Sequence, residues 1–273
     1  MLPIRIGTRG PKYGRCNICG EEGKLTEDHT PPKGCIKINL VDLHHIIEHL
    51  NVEQPKLKGR PSQNGVKYRT LCSKCNNNLL GGEYDPSFIS FVNMIGNYLK
   101  SNIHLPPVMH VTTKPQRVMR SLLGHMCAQG VNRYDKGSIT EPIKEYFQDQ
   151  SKPLPDNIKI YYWPFPYSNH VMARDCVLMD LRIREPVVIW FLKFFPIGFL
   201  ITFSESEKYR FGLAELSKWR DKDIDFEVDI PVYLNNIPHQ FWPEAPTPTS
   251  VVIYGQEAIV AFDWKKLKKK LKS

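Results

Sequence analysis

Long uninterrupted apolar runs are absent from this chain. The nearest approach, Val187 to Phe203, carries Lys193, Pro196 and Gly198 within its 17 residues. A spanning helix needs roughly 20 apolar residues, so the stretch reads instead as two buried strands meeting at Pro196-Ile197-Gly198. The first residues, Met1-Leu2-Pro3-Ile4-Arg5, lack the apolar region of a signal peptide. An even cysteine count is missing too: there are seven, with Cys35, Cys127 and Cys176 scattered. No disulfide framework follows, and a reducing cytoplasm is the expected compartment. Internal repeats are also lacking, and the lysine-rich end is the one low-complexity stretch. A membrane-spanning protein, a disulfide-stapled secreted domain and a repeat array are therefore not expected.

What is present is a soluble composition with unevenly placed charge. Hydrophobic residues make up 41% and charged residues 24% of 273, enough for one large or two modest domains with their own cores. The net charge is +9, yet residues 1–100 carry 14 basic and 9 acidic side chains, and six lysines lie between Lys265 and Lys272. Positive charge at one end and in the tail fits a polyanionic partner.

Four of the cysteines form two Cys-x-x-Cys pairs, Cys16/Cys19 and Cys72/Cys75. Four thiolates in two knuckles suit a tetrahedral zinc without an open position, a structural site. Between and beside the pairs stand Asp28-His29 and Asn76. Closing the knuckles on one ion draws these three towards each other. An acidic oxygen and an amide oxygen can hold a hard cation while the imidazole takes a proton from water. Oxygen donors select Mg²⁺ or Mn²⁺ over zinc for that second site. Lys33, Lys67, Arg69 and Lys74 are the candidate phosphate contacts.

These residues resemble the HNH, or ββα-metal, nucleases, and within them the recombination endonuclease VII-like branch. The matching stretches are Cys16-Asn17-Ile18-Cys19, then Glu27-Asp28-His29, and then Arg69-Thr70-Leu71-Cys72-Ser73-Lys74-Cys75-Asn76, with Leu80-Gly81 after them. The likeness covers roughly residues 13–100. It implies a metal-dependent endonuclease acting on DNA rather than RNA, with His29 as base and Asp28 and Asn76 as ligands of the catalytic cation. Where the family carries a second Asp-His, this chain has Thr30-Pro31, which leaves His29 as the one base. Leu80, a turn after Asn76, stands where zinc-dependent members carry a histidine. Compact nucleases joined to an unfamiliar domain belong to phage defence or mobile elements, which is the expected setting by analogy. The competing readings are a zinc-stabilised nucleic-acid-binding module without catalysis, and a nuclease subunit gated by a protein partner or ligand.

The expected organisation is a nuclease module at 1–103, an α+β domain with a mainly antiparallel sheet at 104–264, and a basic tail at 265–273. In the first part, a short helix is expected within Ile36 to Leu50, a polar loop from Pro55 to Gly65, and a helix from Pro86 to Lys100 capped by Asp85. In the second, Pro115 to Gln129 reads as a helix with Val118, Leu122 and Met126 inward. Strands follow at Ile158 to Trp163, Val177 to Ile183, Val187 to Phe195, Phe199 to Phe203 and Ile224 to Ile230. A hairpin turning at Gly255-Gln256 joins Val251–Tyr254 to Ala258–Phe262.

Overall fold

The computed structural model describes residues 6–37, 39–50, 59–101, 104–204, 206, 208–245 and 249–263. The lysine tail therefore lies outside the described residues. In chain order the strands are β1 (Tyr13–Arg15), β2 (Glu22–His29), β3 (Val41–His45), β4 (Arg60–Ser62), β5 (Lys67–Cys72), β6 (Val108–Thr113) and β7 (Ile158–Pro164). They continue with β8 (His170–Asp180), β9 (Pro186–Phe194), β10 (Ile197–Phe203), β11 (Ala214–Glu215), β12 (Val228–Tyr233), β13 (Ser250–Ile253) and β14 (Ile259–Asp263). The α-helices are α1 (Ile46–Leu50), α2 (Asp85–Lys100), α3 (Pro115–Ala128) and α4 (Thr140–Gln148), and a π-helical segment, Lys74–Tyr84, leads directly into α2.

All strand pairs are antiparallel, and the fold is α+β. A three-stranded sheet, β1-β2-β5, carries the cysteine knuckles. A nine-stranded sheet runs β11-β7-β10-β9-β8-β14-β3-β4, with β13 also on β8, and β6 pairs with β12. The apolar run Val187 to Phe203 is the β9–β10 pair, turning at Phe195-Pro196. Every residue of β10 is buried. Phe199 and Ile201 pack into the core under the helices and Leu200 into a second cluster with Trp163 and Phe191, because a strand sends alternate side chains to opposite faces. A strand covered on both faces needs apolar residues throughout, which is why it resembles a membrane segment in sequence. Among the described residues no helix is long and apolar enough to cross a membrane.

Several local expectations are corrected. Val41 to His45 is strand rather than helix; it pairs with β14 (Leu43↔Ala261, His45↔Ile259), and only Ile46–Leu50 is helical. The pairing supplies backbone hydrogen bonds that a five-residue stretch cannot earn from helix propensity alone. The polar loop holds β4, on the far side of β3. β13 and β14 are not a hairpin: both pair with β8, Ile253 with Val177 and Ile259 with Met172, one after the other along its edge. The alternation from Ile224 becomes strand only at Val228, and β6 and α4 were not anticipated.

α3 departs most from its expected character. All of it but Arg117 is buried, so it is a core helix rather than an amphipathic one with a single inner face. Most of its buried polar atoms find partners, as burial demands, although Arg120 Nε has none among the described residues. Arg120 donates to the carbonyls of Asp149, Gln150 and Lys152. Gln116 donates to those of Trp219 and Arg220. Ser121 and His125 turn towards Asp85. One apolar core extends from Cys16 and Leu71 through Phe88 and Leu122 to Phe199 and Ala261, so the knuckle sheet, α2, α3 and the large sheet share it.

Candidate functional site

The two knuckles close on each other. Cys16 follows β1, and the chain turns back at Gly20 with a hydrogen bond from Gly20 N to the Cys16 carbonyl of 3.0 Å. Gly20 has φ +78°, and a side chain there would collide with the Tyr134 ring, so glycine is required. Cys72 ends β5 and Cys75 opens the π-helical segment. The four sulfurs lie within 4.8 Å of one another, and Cys19 Sγ is 3.7 Å from Cys72 Sγ. Tetrahedral zinc with bonds of about 2.3 Å separates its sulfurs by about 3.8 Å. Cys72 N–H also points at Cys16 Sγ, 3.3 Å away, and hydrogen bonds from Cys19, Cys72 and Cys75 hold the Cys16 thiol well below its ordinary value. The cluster could hold a structural metal such as zinc, and it offers that metal no open position.

β2 carries the next residues across the sheet from β5, with Glu27 opposite Arg69, Asp28 opposite Tyr68 and His29 opposite Lys67. A bulge lets β5 spend an extra residue, Thr70, between Leu71 and Arg69. Beyond it the buried positions of β2 are Leu25 and Asp28, three apart instead of two. Asp28 is thereby turned into the protein at 5% exposure, and His29, the last residue of the strand, is half-covered.

Asn76 sits against this strand. Its Nδ2 donates to Thr26 Oγ1 at 2.9 Å and to the Glu27 carbonyl at 3.1 Å, which leaves Oδ1 without a hydrogen bond among the described residues. Asn76 is thus joined to the peptide that precedes Asp28. The ring of His29 hydrogen-bonds the Asn64 backbone, while its Nε2 is buried without a partner. Burial, reinforced by the charges of Lys33 and Lys67, lowers the His29 pKa below its ordinary value of 6.5, so the ring is neutral at pH 7 with a lone pair on Nε2. Asn64 and Gly65, at φ +62° and +80°, make the turn from β4 to β5 that brings this carbonyl to the ring.

The expected phosphate contacts divide into two kinds. Lys67 Nζ lies 2.6 Å and Arg69 Nη2 3.0 Å from the carboxylate of Glu27, which these two cations share. Glu27 is held below the usual carboxylate range first by its hydrogen bond from Lys67. Lys33 and Lys74 are exposed and have no ion-pair partner among the described residues.

Two residues here were not legible in the sequence. His125, on α3 and 1% exposed, places Nδ1 2.8 Å from Asp28 Oδ2 and Nε2 2.9 Å from Asp85 Oδ1. Asp85 starts α2, but its side chain makes no cap; it accepts from His125 and from Ser121 Oγ at 2.7 Å. Burial alone would lower the His125 pKa, yet the two carboxylates outweigh it and push it up to about 10. His45 is buried on β3, bonded to the Gly255 carbonyl through Nε2 and to Ile47 N through Nδ1, so it serves the backbone and no metal.

No family model, no curated protein and no solved structure matches this chain.

Proposed function

We propose that the protein is a metal-dependent endonuclease of the HNH type that hydrolyses phosphodiester bonds in DNA. The observation that carries this reading is His29 Nε2: a buried, unpartnered lone pair on a neutral ring, one residue from a carboxylate whose neighbouring peptide is held by Asn76. A buried polar atom without a partner costs free energy unless a ligand or water uses it. A neutral imidazole is the form able to accept a proton from a nucleophilic water.

Asp28 Oδ1 and Asn76 Oδ1 fit a cation of the Mg²⁺ or Mn²⁺ type, since both are oxygen donors left free by the hydrogen bonds described above. Such a cation, when bound, neutralises charge developing on the phosphate. His29 takes the proton of the attacking water. Lys33 and Lys74, unpaired and exposed, meet the flanking phosphates, whereas Lys67 and Arg69 must share themselves with Glu27. The four-cysteine site keeps β2, β5 and Asn76 in register and takes no part in the chemistry.

Incubation of supercoiled plasmid with the protein, with Mg²⁺ and with chelator, tests the reading. Nicked or linear product that requires the cation and vanishes in His29→Ala supports it. Retained DNA binding without cleavage identifies the non-catalytic zinc-stabilised module instead.

A further inference from the structure

Asp28 is the strongest oxygen donor of the proposed cation site, and its own orientation is not left to the strand. Oδ2 accepts from His125 Nδ1 at 2.8 Å and lies 3.4 Å from Thr30 Oγ1. Oδ1 makes no hydrogen bond among the described residues. The ring that fixes Oδ2 is itself fixed, because its far nitrogen meets Asp85 Oδ1 at 2.9 Å, and Asp85 is braced by Ser121 at 2.7 Å. This chain of contacts runs from the start of α2, through α3, to β2. Its central member is covered: His125 is 1% exposed, so it cannot touch a nucleic acid. Covered imidazole–carboxylate contacts are costly to assemble, and their usual return beside a metal ligand is orientation.

We propose that His125, held by Asp85, is the positioning residue for Asp28, pinning Oδ2 so that Oδ1 alone faces the catalytic cation. This inference rests on the endonuclease reading and adds a residue outside the stretch that resembles the family. It assigns His125 no proton transfer and no contact with substrate. Without the pin, Asp28 can rotate about its terminal torsion, and the cation must order the carboxylate at the cost of its own affinity.

Two amide substitutions separate positioning from packing. In His125→Asn the amide nitrogen falls where Nδ1 stood and keeps a donor for Asp28. In His125→Gln it falls where Nε2 stood, keeping a donor for Asp85 and losing the one for Asp28. Asn is one methylene smaller than Gln and leaves the larger gap, so packing alone would favour His125→Gln, whereas positioning favours His125→Asn. Mn²⁺ binding to the full chain, read by titration calorimetry, and the Mg²⁺ midpoint for plasmid cleavage are measured together with zinc content, melting temperature and DNA affinity. The expected result is a 10-fold or greater loss of Mn²⁺ affinity in His125→Gln, in the range seen when outer partners of metal ligands are removed. His125→Asn should stay within about threefold of wild type, and DNA affinity and zinc content should be unchanged in both. Equal Mn²⁺ affinities in the two variants, or the reverse order, overturn the positioning role while leaving the nuclease reading intact. Wild-type protein that neither binds Mn²⁺ nor cleaves DNA overturns the nuclease reading and this inference with it.

Discussion

Asn17, inside the first cysteine knuckle, donates a hydrogen bond of 3.1 Å to the carbonyl of Cys127 near the end of α3, across 110 residues of sequence. The same amide reaches the Gly130 carbonyl at 2.8 Å, and its oxygen accepts from Arg133 N at 3.0 Å. Asn17 is fully buried, so these bonds have no water to replace them. The knuckle therefore grips the end of the helix that carries His125. Loss of the metal should loosen α3 as well as the knuckle. Hydrogen exchange with and without a zinc chelator should show faster exchange in residues 115–128; protection that stays unchanged in that helix would sever the link.

The cysteine site itself should be needed for folding. Structural zinc in thiolate sites contributes on the order of 10 kcal/mol, more than the usual margin of a domain. Cys72→Ser should yield protein that is unfolded or aggregated and short of one zinc per chain, read by circular dichroism and elemental analysis. A folded, zinc-free variant would show that the cluster works as thiols.

His29→Ala should lower the cleavage rate constant by about 10²–10⁴, the range for loss of a general base, with zinc content and melting temperature unchanged. Wild-type cleavage by that variant would move the base elsewhere.

The rate should also report the lowered His29 pKa. A base must be unprotonated, so activity rises with pH through its pKa and is flat above it. Because burial lowers that value below 6.5, the acid limb should have its midpoint under 6.5. A limb centred above 7 would contradict the environment described for the ring.

Stability should depend on pH in the opposite sense through His125. Its folded-state pKa, about 10, exceeds the ordinary 6.5, so its stabilising contribution is complete below 6.5 and disappears as pH rises through 10. The facing charges are Asp28 and Asp85. The melting temperature of wild type should fall between pH 7 and 10, and His125→Asn should flatten that slope. Parallel slopes for the two proteins would exclude His125 as the source.

Away from the site, Lys193 on β9 is fully buried, its ammonium 2.8 Å from the carbonyls of Gln240 and Trp242 and 2.5 Å from the Glu244 carboxylate. Lys193→Met should cost about 3–5 kcal/mol, because Glu244 is left buried and uncompensated. The double variant Lys193→Met/Glu244→Leu should recover much of that in chemical denaturation. Equal stabilities for the single and double variants would refute the pairing argument.

The contrast between legible and hidden parts follows from distance along the chain. The knuckles are local, with ligands three apart, and the spacing alone identified all four sulfurs. Asp28, His29 and Asn76 stand out as candidates because they adjoin those knuckles and match the motif that the stretch resembles. His125 and Asp85 were not, since their contacts with each other and with Asp28 span 40 and 97 residues and leave no periodic trace. Their signal was present only as polar residues in a segment that otherwise reads as apolar helix. The same holds for β3, where an alternating Val41-Leu43-His45 pattern runs straight into helical residues and only the partner strand decides between them. Lys67 and Arg69 looked like free cations because Glu27, their partner, lies on another strand.

The place of β3 in the large sheet has a consequence for biosynthesis. His45 and Gly255 are hydrogen-bonded across 210 residues, and β14 closes on β3 beside them. As the chain leaves the ribosome, β3 emerges long before its partner, since 210 residues separate His45 from Gly255. Until β14 follows, β3 has an unpaired edge, the kind of surface that recruits strands from other chains. Folding of this part of the sheet must wait for β14, which makes it slow by topology. A ribosome-bound nascent chain would then hold its cysteine knuckles long before it holds a complete sheet.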